Sequence, residues 1–165
     1  MALIRTYVDS GVLIYAAKAK SPTAELAIPF VTDPQREYVT SEYVRLEVLP
    51  KSKFNKANAE TSFFEGFFAA NVLCIGPSVD LMKLAMEEAV RHGISAIDAL
   101  HVSAAAFAGA QELITSEVKS KPMHRTNLIK VVSIFPQAMS ERRSMARRCS
   151  RMLHRLANLI ERNMS

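Results

Sequence analysis

The stretch LIRTYVDS, residues 3–10, is an apolar, largely aliphatic or β-branched run that ends at two polar residues. A short continuous run of this kind is typical of a buried β-strand. The apolar residues that follow Ser10 suit a helix that starts there. A strand that leads directly into a helix is the first unit expected of an α/β fold.

Short apolar runs recur along the chain and alternate with segments that suit helices. They lie at residues 38–40, 72–75, 113–115 and 131–134. These runs are continuous rather than alternating between apolar and polar residues, which is typical of parallel strands covered on both faces. We therefore expect an α/β fold with a central, mostly parallel sheet and helices on both faces.

Capping and breaking residues predict several helix boundaries. Ser41 is a plausible N-cap for a helix that runs to Leu49 and stops at Pro50. The next helix is predicted over residues 55–70. A later one ends at Gly93, a residue suited to a left-handed C-terminal position. Ser95 is predicted to start a helix that reaches about Ala108.

The basic excess of the chain is confined to its last residues. Residues 1–139 hold 14 Lys/Arg and 14 Asp/Glu, whereas residues 140–165 hold 7 Arg and 2 Glu, so the net charge of +5 belongs to the tail. Apolar residues and arginines form separate stripes there, which predicts an amphipathic basic helix. We expect a domain over residues 1–137 and a helical extension over residues 138–165. The extension either packs on the domain or a second copy, or binds RNA phosphates.

Length and composition restrict the class of protein. The 165 residues suffice for one domain, and 49% apolar with 22% charged residues is ordinary for a globular protein. The short N-terminal apolar run contains Arg5, so no signal peptide is expected. No uncharged stretch approaches the ~20 residues of a membrane span. These features predict a cytoplasmic protein without membrane contact.

Four acidic residues lie where predicted strands or helices begin or end: Asp9, Glu47, Asp98 and Glu117. In an open α/β sheet, sites form at the carboxyl ends of the strands, and Asp9 and Glu117 both follow predicted strands. Two bare carboxylates ~4 Å apart repel by about 4 kcal/mol at an effective dielectric constant of 20. If the fold gathers these acids, either some take up protons or a divalent cation lies among them.

Each acid also has an ordinary structural interpretation. Asp9 suits the N-cap of the following helix. Asp98 stands three residues after Ser95, in an arrangement that resembles a capping box. Glu47 suits a solvated helix face, and Glu117 suits an ion pair with a lysine of its own loop. Spacing alone leaves these interpretations open.

Four segments together resemble the motifs of PIN-domain ribonucleases. They are VDSGVLI (residues 8–14), SEYVRLE (41–47), ISAIDALH (94–101) and LITSE (113–117). Their order and spacing agree with that family, and the likeness covers about residues 1–135. In size the chain is similar to the small VapC-type toxins of toxin–antitoxin pairs.

The resemblance implies a PIN-like three-layer α/β/α sandwich and a divalent-metal-dependent endoribonuclease. Mg²⁺ or Mn²⁺ would be held by Asp9 and Asp98, and Glu47 and Glu117 would complete the catalytic set. Thr115 or Ser10 would order the pocket by hydrogen bonds. The family's fourth acid is usually aspartate, so Glu117 is a departure. The resemblance further implies an RNA substrate, a homodimer and a cognate antitoxin.

Two functions remain open at this point. The first is hydrolysis of RNA phosphodiester bonds, most simply as a toxin. The alternative is a non-catalytic PIN-like module that binds RNA or protein. His101 stands three residues after Asp98, so both could share a helix face; His101 is either a packing histidine, or a base or phosphate contact.

Overall fold

The computed structural model describes residues 2–18, 21–70 and 73–136. The predicted basic helix of residues 138–165 lies outside this part of the chain, as does the predicted boundary at residue 137.

Strands and helices alternate along the described residues, as predicted. In chain order they are β1 (Ile4–Val8), α1 (Ser10–Ala17), α2 (Pro22–Val31), β2 (Arg36–Ser41), α3 (Glu42–Phe54), α4 (Asn58–Ala70), β3 (Leu73–Ile75), α5 (Val79–His92), α6 (Ala96–Phe107), β4 (Glu112–Thr115), a short 3₁₀ helix (Pro122–Arg125) and β5 (Lys130–Ser133).

The five strands form one sheet in the order β3-β2-β1-β4-β5, and every pairing in it is parallel. This confirms the predicted parallel sheet. The chain adds β2 and β3 on one side of β1, then returns to add β4 and β5 on the other. The strand order therefore reverses between β1 and β4. In open α/β sheets the crevice beyond the carboxyl ends of such a strand pair is where ligands bind.

The helices cover both faces of the sheet. Helices α1 to α4 pack on one another, and α5 packs on α6. Right-handed crossovers place the two groups on opposite faces, because the chain moves one way across the sheet in β1–β3 and the other way afterwards. This is the predicted three-layer α/β/α arrangement. No helix in the described ranges is long and apolar enough to cross a membrane.

Helix α3 does not stop before Pro50, so the predicted boundary at that residue is wrong. The helix continues to Phe54 with Pro50 inside it. Proline removes one helical hydrogen bond and strains the preceding turn. Val44, Val48 and Ser52 are nevertheless buried at four-residue steps. The buried stripe thus crosses the position of the proline, and packing outweighs the local preference.

The following boundary is also displaced from its predicted place. Helix α4 begins at Asn58 rather than Asn55. Lys56 has a φ of 53°, a left-handed conformation that ends the preceding helix. The predicted end at Gly93 is confirmed, because Gly93 has a φ of 66° and its N–H donates to the Ala89 carbonyl.

Candidate functional site

Asp9 lies at the crevice between β1 and β4. Its N–H donates to the Ile114 carbonyl at 3.0 Å, which continues the ladder one residue beyond β1. Its side chain caps α1, accepting from the Gly11 N–H at 2.5 Å, so the predicted N-cap is confirmed. Its second oxygen accepts a hydrogen bond from the Thr115 hydroxyl. Burial raises the pKa of the Asp9 carboxyl, although the charge of His101 and these two hydrogen bonds oppose the rise.

Thr115 joins Asp9 to Glu117. The buried Thr115 hydroxyl donates to Asp9 and accepts from the Glu117 N–H at 3.0 Å. This contact fixes the loop after β4 against the end of β1. The Glu117 side chain is half-buried, and its Oε2 lies 3.5 Å from the Lys121 ammonium, which confirms the predicted loop ion pair.

Gly11 allows the first and fourth motifs to approach each other. A β-carbon at this position would collide with the Ser116 side chain and lie 3.2 Å from Asp9 Oδ1. The absence of a side chain at Gly11 therefore lets the loop after β4 close over the start of α1.

Glu47 faces into the molecule rather than into solvent. Its Oε2 lies 2.7 Å from Nε2 of His101, and its neighbour Arg45 pairs instead with Glu42. The prediction of a solvated helix face is therefore wrong. Partial burial alone would raise the pKa of the Glu47 carboxyl. The hydrogen bond and charge of His101, with a hydrogen bond from Ser10, outweigh burial and lower it.

His101 is the buried centre of a hydrogen-bond chain. Its Nδ1 lies 3.0 Å from the Tyr7 hydroxyl, which lies 2.6 Å from the Ser41 hydroxyl. Ser41 in turn accepts from the Val44 N–H at 3.4 Å and so caps α3, the helix that carries Glu47. With Nε2 protonated, the ring donates to Glu47, while its Nδ1 shares a hydrogen bond with the Tyr7 hydroxyl.

Asp98 lies one turn before His101 on α6, in the first turn of that helix. Its Oδ2 accepts a hydrogen bond of 2.7 Å from the Ser95 hydroxyl. The predicted capping box is therefore wrong, because the Ser95 side chain makes no bond to the backbone of α6. The Ser95 hydroxyl donates to a carboxylate, and such a hydrogen bond is stronger than the one its oxygen would accept from a neutral backbone N–H. This difference accounts for the orientation of the Ser95 side chain.

The predicted acids are thus linked in part. Thr115 joins Asp9 to Glu117, and His101 binds Glu47 while its charge acts on Asp9. Asp98 lies on the same helix as His101, and its side chain binds Ser95. In residues 2–18, 21–70 and 73–136 no group of three or more acidic, histidine or cysteine side chains is arranged to hold a metal ion.

The chemistry of Asp9 nevertheless fits a cation. Three carboxylates are buried in the described part of the chain, those of Asp9, Glu88 and Glu112. Glu88 pairs with Arg91 and Glu112 with Arg36, whereas no lysine, arginine or histidine nitrogen of the same part lies within 4.0 Å of the Asp9 carboxylate. Mg²⁺ is commonly bound through one or two carboxylates and keeps several waters. The donor set is therefore suited to a hydrated divalent ion.

Sequence reasoning missed the part played by three residues of this site. Tyr7 lies inside the first strand and Ser41 at a helix cap, and neither position signals a polar role in a site. His101 was recognised only as a neighbour of Asp98. Its pairing with Glu47 depends on the contact between α3 and α6, which are 54 residues apart at this point.

Replacing Thr115 by valine tests the link between Asp9 and Glu117. Valine has nearly the same shape but leaves the Glu117 N–H and one Asp9 oxygen without their partner. We expect the variant to lose about 1–3 kcal/mol of unfolding free energy, measured by denaturant titration. Thr40→Val is the matched control, because the buried Thr40 hydroxyl has no hydrogen-bond partner among the described residues. Equal costs at the two positions would contradict the proposed role of Thr115.

The fold and the crevice together define the class of protein: a three-layer α/β protein with a buried carboxylate, that of Asp9, at the reversal of its parallel sheet. The chain belongs to the PIN domain family, whose model matches residues 6–119, more than half of its length. No curated protein matches this sequence.

Solved structures share this fold. VapBC2 from Rickettsia felis, bound to a DNA fragment from its promoter, has a TM-score of 0.59 and 18% identity, covering 79% of this chain and 98% of that one. DNA-bound VapBC from Salmonella typhimurium has a TM-score of 0.60 and 14% identity over 81% and 100%. VapC20 from Mycobacterium tuberculosis, a toxin that cleaves the sarcin–ricin loop, has a TM-score of 0.54 and 20% identity over 66% and 86%. Because the sequence identities are this low, the comparison shows a shared fold and nothing further.

Proposed function

We propose that this protein is a divalent-metal-dependent endoribonuclease that hydrolyses RNA phosphodiester bonds, and that it is the VapC-type toxin of a toxin–antitoxin pair. The observation that carries the proposal is the buried Asp9 carboxylate. It lies at the reversal of the sheet, without a cationic partner among the described residues, and the structure holds it in place through Thr115 and Gly11.

Asp9 and Asp98 are the proposed metal-binding residues. Thr115 and Gly11 fix both oxygens of Asp9, so the carboxylate is oriented before any ligand arrives. Ser95 does the same for one oxygen of Asp98. When bound there, Mg²⁺ or Mn²⁺ supplies Lewis-acid polarisation of a phosphate and neutralises charge on its oxygens.

Glu47 is the proposed residue that orients the attacking water and accepts its proton. Its lowered pKa keeps it ionised at neutral pH, and His101 fixes one of its oxygens. Glu117 completes the acidic set beside Lys121 and contributes charge from the rim. Its longer side chain suits contact through water rather than direct ligation.

The proposed partners follow from the family and from the fold neighbours. The Rickettsia and Salmonella neighbours are toxin–antitoxin complexes, which supports a cognate antitoxin for this chain. An RNA substrate, a cytoplasmic location and a homodimer complete the proposal. The basic residues of the tail, 140–165, supply the excess positive charge that an RNA-binding protein needs.

Metal dependence is the direct test of this function. Purified protein should cut total RNA in the presence of Mn²⁺ or Mg²⁺, and excess chelator should stop the reaction, because the phosphate charge is then no longer neutralised. Adding the metal back should restore cutting. Gel analysis of the products measures the outcome. Cutting that continues at full rate in chelator would rule out the metal-dependent mechanism.

A non-catalytic PIN-like binding module is the competing function. It is favoured by the lack of a three-residue metal-binding group among residues 2–18, 21–70 and 73–136. The same samples separate the two proposals. RNA binding that is unaffected by chelator, with no cleavage at any metal concentration, would support the module and refute the nuclease.

A further inference from the structure

A cleft leads away from the acidic site between helices α1, α3 and α4. It has a volume of about 230 Å³ and opens beside Glu47; Lys18, Lys51, Asn55 and Glu60 also line it. This volume is below the ~300 Å³ at which sites for drug-sized ligands begin. The cleft therefore suits one group of a larger ligand rather than a complete small molecule.

The geometry of two helices creates this cleft. Strands β1 and β2 are parallel, so α1 and α3 both start at the edge of the sheet that carries Asp9 and run back side by side. Glu47 and Lys51 on α3, and Asn55 directly after its end, recur every four residues and share one face. Ile14 on α1 and Lys18, the C-cap residue of that helix, have the same spacing. The cleft between these two helix faces begins beside Glu47 and ends at Lys18, Lys51 and Asn55.

The two lysines are available for a ligand. Lys18 and Lys51 are exposed, and neither makes an ion pair with a described residue. Lys53, two residues further along α3, is instead paired with Glu65 at 2.8 Å. Lys51 lies four residues beyond Glu47, about 6 Å along the helix axis. That distance is of the order of one nucleotide step in an extended strand.

We propose that this cleft binds the phosphate and ribose of the RNA nucleotide next to the one that is cut, with Lys18 and Lys51 contacting the phosphate. The inference rests on the proposed function for its ligand. An acidic crevice repels a polyanionic strand, so the flanking phosphate has to be held by cations nearby. Asn55 and Glu60 supply acceptors for a ribose hydroxyl, which a DNA strand lacks.

The mixed lining favours RNA over a peptide as the occupant. A groove for an amphipathic peptide presents a mainly apolar surface. Here the apolar wall consists of Ile14, Val48 and the fully buried Phe64, and the remaining side chains are charged or polar. The position beside Glu47 also places any bound strand in line with the proposed catalytic residues.

The test is the salt dependence of RNA binding by the full chain. Asp98→Asn protein, which we expect to bind without cutting, is titrated into a labelled single-stranded RNA at several salt concentrations. The logarithm of the binding constant falls with the logarithm of the salt concentration, and each lost phosphate contact makes this slope less steep by about 0.7 for a single strand. Because both lysines are proposed to contact the same phosphate, adding Lys18→Gln and Lys51→Gln together should reduce the slope by about 0.7 and weaken binding at low salt.

Lys53→Gln in the same background is the matched control, since it removes an exposed lysine from the same helix but outside the cleft. It should leave slope and affinity unchanged. Both substituted lysines are exposed, so the double variant should fold normally. Equal melting temperatures of the double variant and the Asp98→Asn parent will show this. If the double variant keeps the parental slope and affinity, the cleft does not bind RNA phosphate and a peptide becomes the better occupant.

This result can be separated from failure of the nuclease proposal. Wild-type protein that binds RNA through the two lysines but never cuts it would support the cleft and refute the enzyme. A Lys18→Gln/Lys51→Gln protein that cuts RNA with the KM of the wild type would refute the cleft and leave the enzyme intact. A rise in KM with little change in kcat is expected if both proposals are correct.

Discussion

The Asp9→Asn variant is expected to lose RNA cleavage by ~10³-fold or more while becoming more stable than the wild type at neutral pH. Activity falls because the amide carries no charge to hold a divalent ion and its phosphate. The amide oxygen still accepts from the Gly11 N–H, and the Thr115 hydroxyl can turn to accept from the amide nitrogen. The cap of α1 and the packing of the site are therefore kept.

The stability gain follows from the direction of the Asp9 pKa. Burial raises the pKa of this carboxyl in the folded protein. Below the unfolded-state pKa the group is neutral in both states and contributes no difference. As the pH rises through the raised folded-state pKa, the unfolded chain ionises more readily, and the wild type loses stability. Asparagine does not titrate. The stability advantage of the Asp9→Asn variant should therefore grow as the pH rises from the unfolded-state pKa to the folded-state pKa, and shrink as the pH is lowered.

Denaturant titrations across this pH range measure the effect, with Mn²⁺ present and absent. Mn²⁺ at 100 times its dissociation constant should stabilise the wild type by about 2.7 kcal/mol and leave Asp9→Asn unchanged. Asp98→Asn is the companion variant. It should also lose activity, because Asp98 is the second proposed metal-binding residue. An Asp9→Asn protein that cuts RNA at the wild-type rate would remove Asp9 from the catalytic set.

Replacing His101 by alanine is the second large effect. The substitution leaves a cavity in a nearly closed site, with the His101 side chain 3% exposed, and removes one hydrogen-bond partner each from the Tyr7 hydroxyl and from Glu47. We expect a loss of about 3 kcal/mol of unfolding free energy. At 2–4 °C per kcal/mol for a chain of this size, the melting temperature should fall by roughly 10 °C.

Activity separates a positioning role for His101 from simple packing. Loss of a residue that orients a catalytic group commonly costs 10–100-fold. Glutamine at position 101 can still donate to Glu47, so His101→Gln should recover much of the activity lost in His101→Ala. A cycle with Glu47→Gln should show strong coupling between the two positions. Additive effects, or two position-101 variants with equal activity at matched fractions folded, would show that His101 only fills space.

The local pattern was sufficient to predict the sheet and most of the helix ends. Continuous apolar runs are the direct consequence of strands that are covered on both faces, and they predicted parallel strands that the structure confirms. Gly93 was identified correctly because a left-handed C-terminal position has few alternatives to glycine. Such features depend on neighbours in sequence, so they can be recognised without knowledge of the rest of the fold.

Boundaries that depend on distant packing were predicted less well. The sequence predicts a helix end at Pro50, but the stripe formed by Val44, Val48 and Ser52 continues past this residue into the core. The side chain of Ser95 was expected to cap α6, but it binds the Asp98 carboxylate. At Pro50 the packing of the buried stripe outweighs a local preference. At Ser95 the predicted helix start is correct, but its hydroxyl binds a carboxylate three residues away instead of the backbone.

The sequence by itself determined the alternation of strands and helices, the parallel sheet, the capping role of Asp9 and the place of Asp98 at a helix start, because each is a property of adjacent residues. The expectation that Glu47 lies at a helix end was wrong, because α3 continues to Phe54. The tertiary structure alone decided that β4 lies beside β1, so that Thr115 binds Asp9 across 106 residues, and that α3 and α6 meet so that His101 binds Glu47. Strand order and helix contact arise from the packing of the whole chain, and no short segment encodes them.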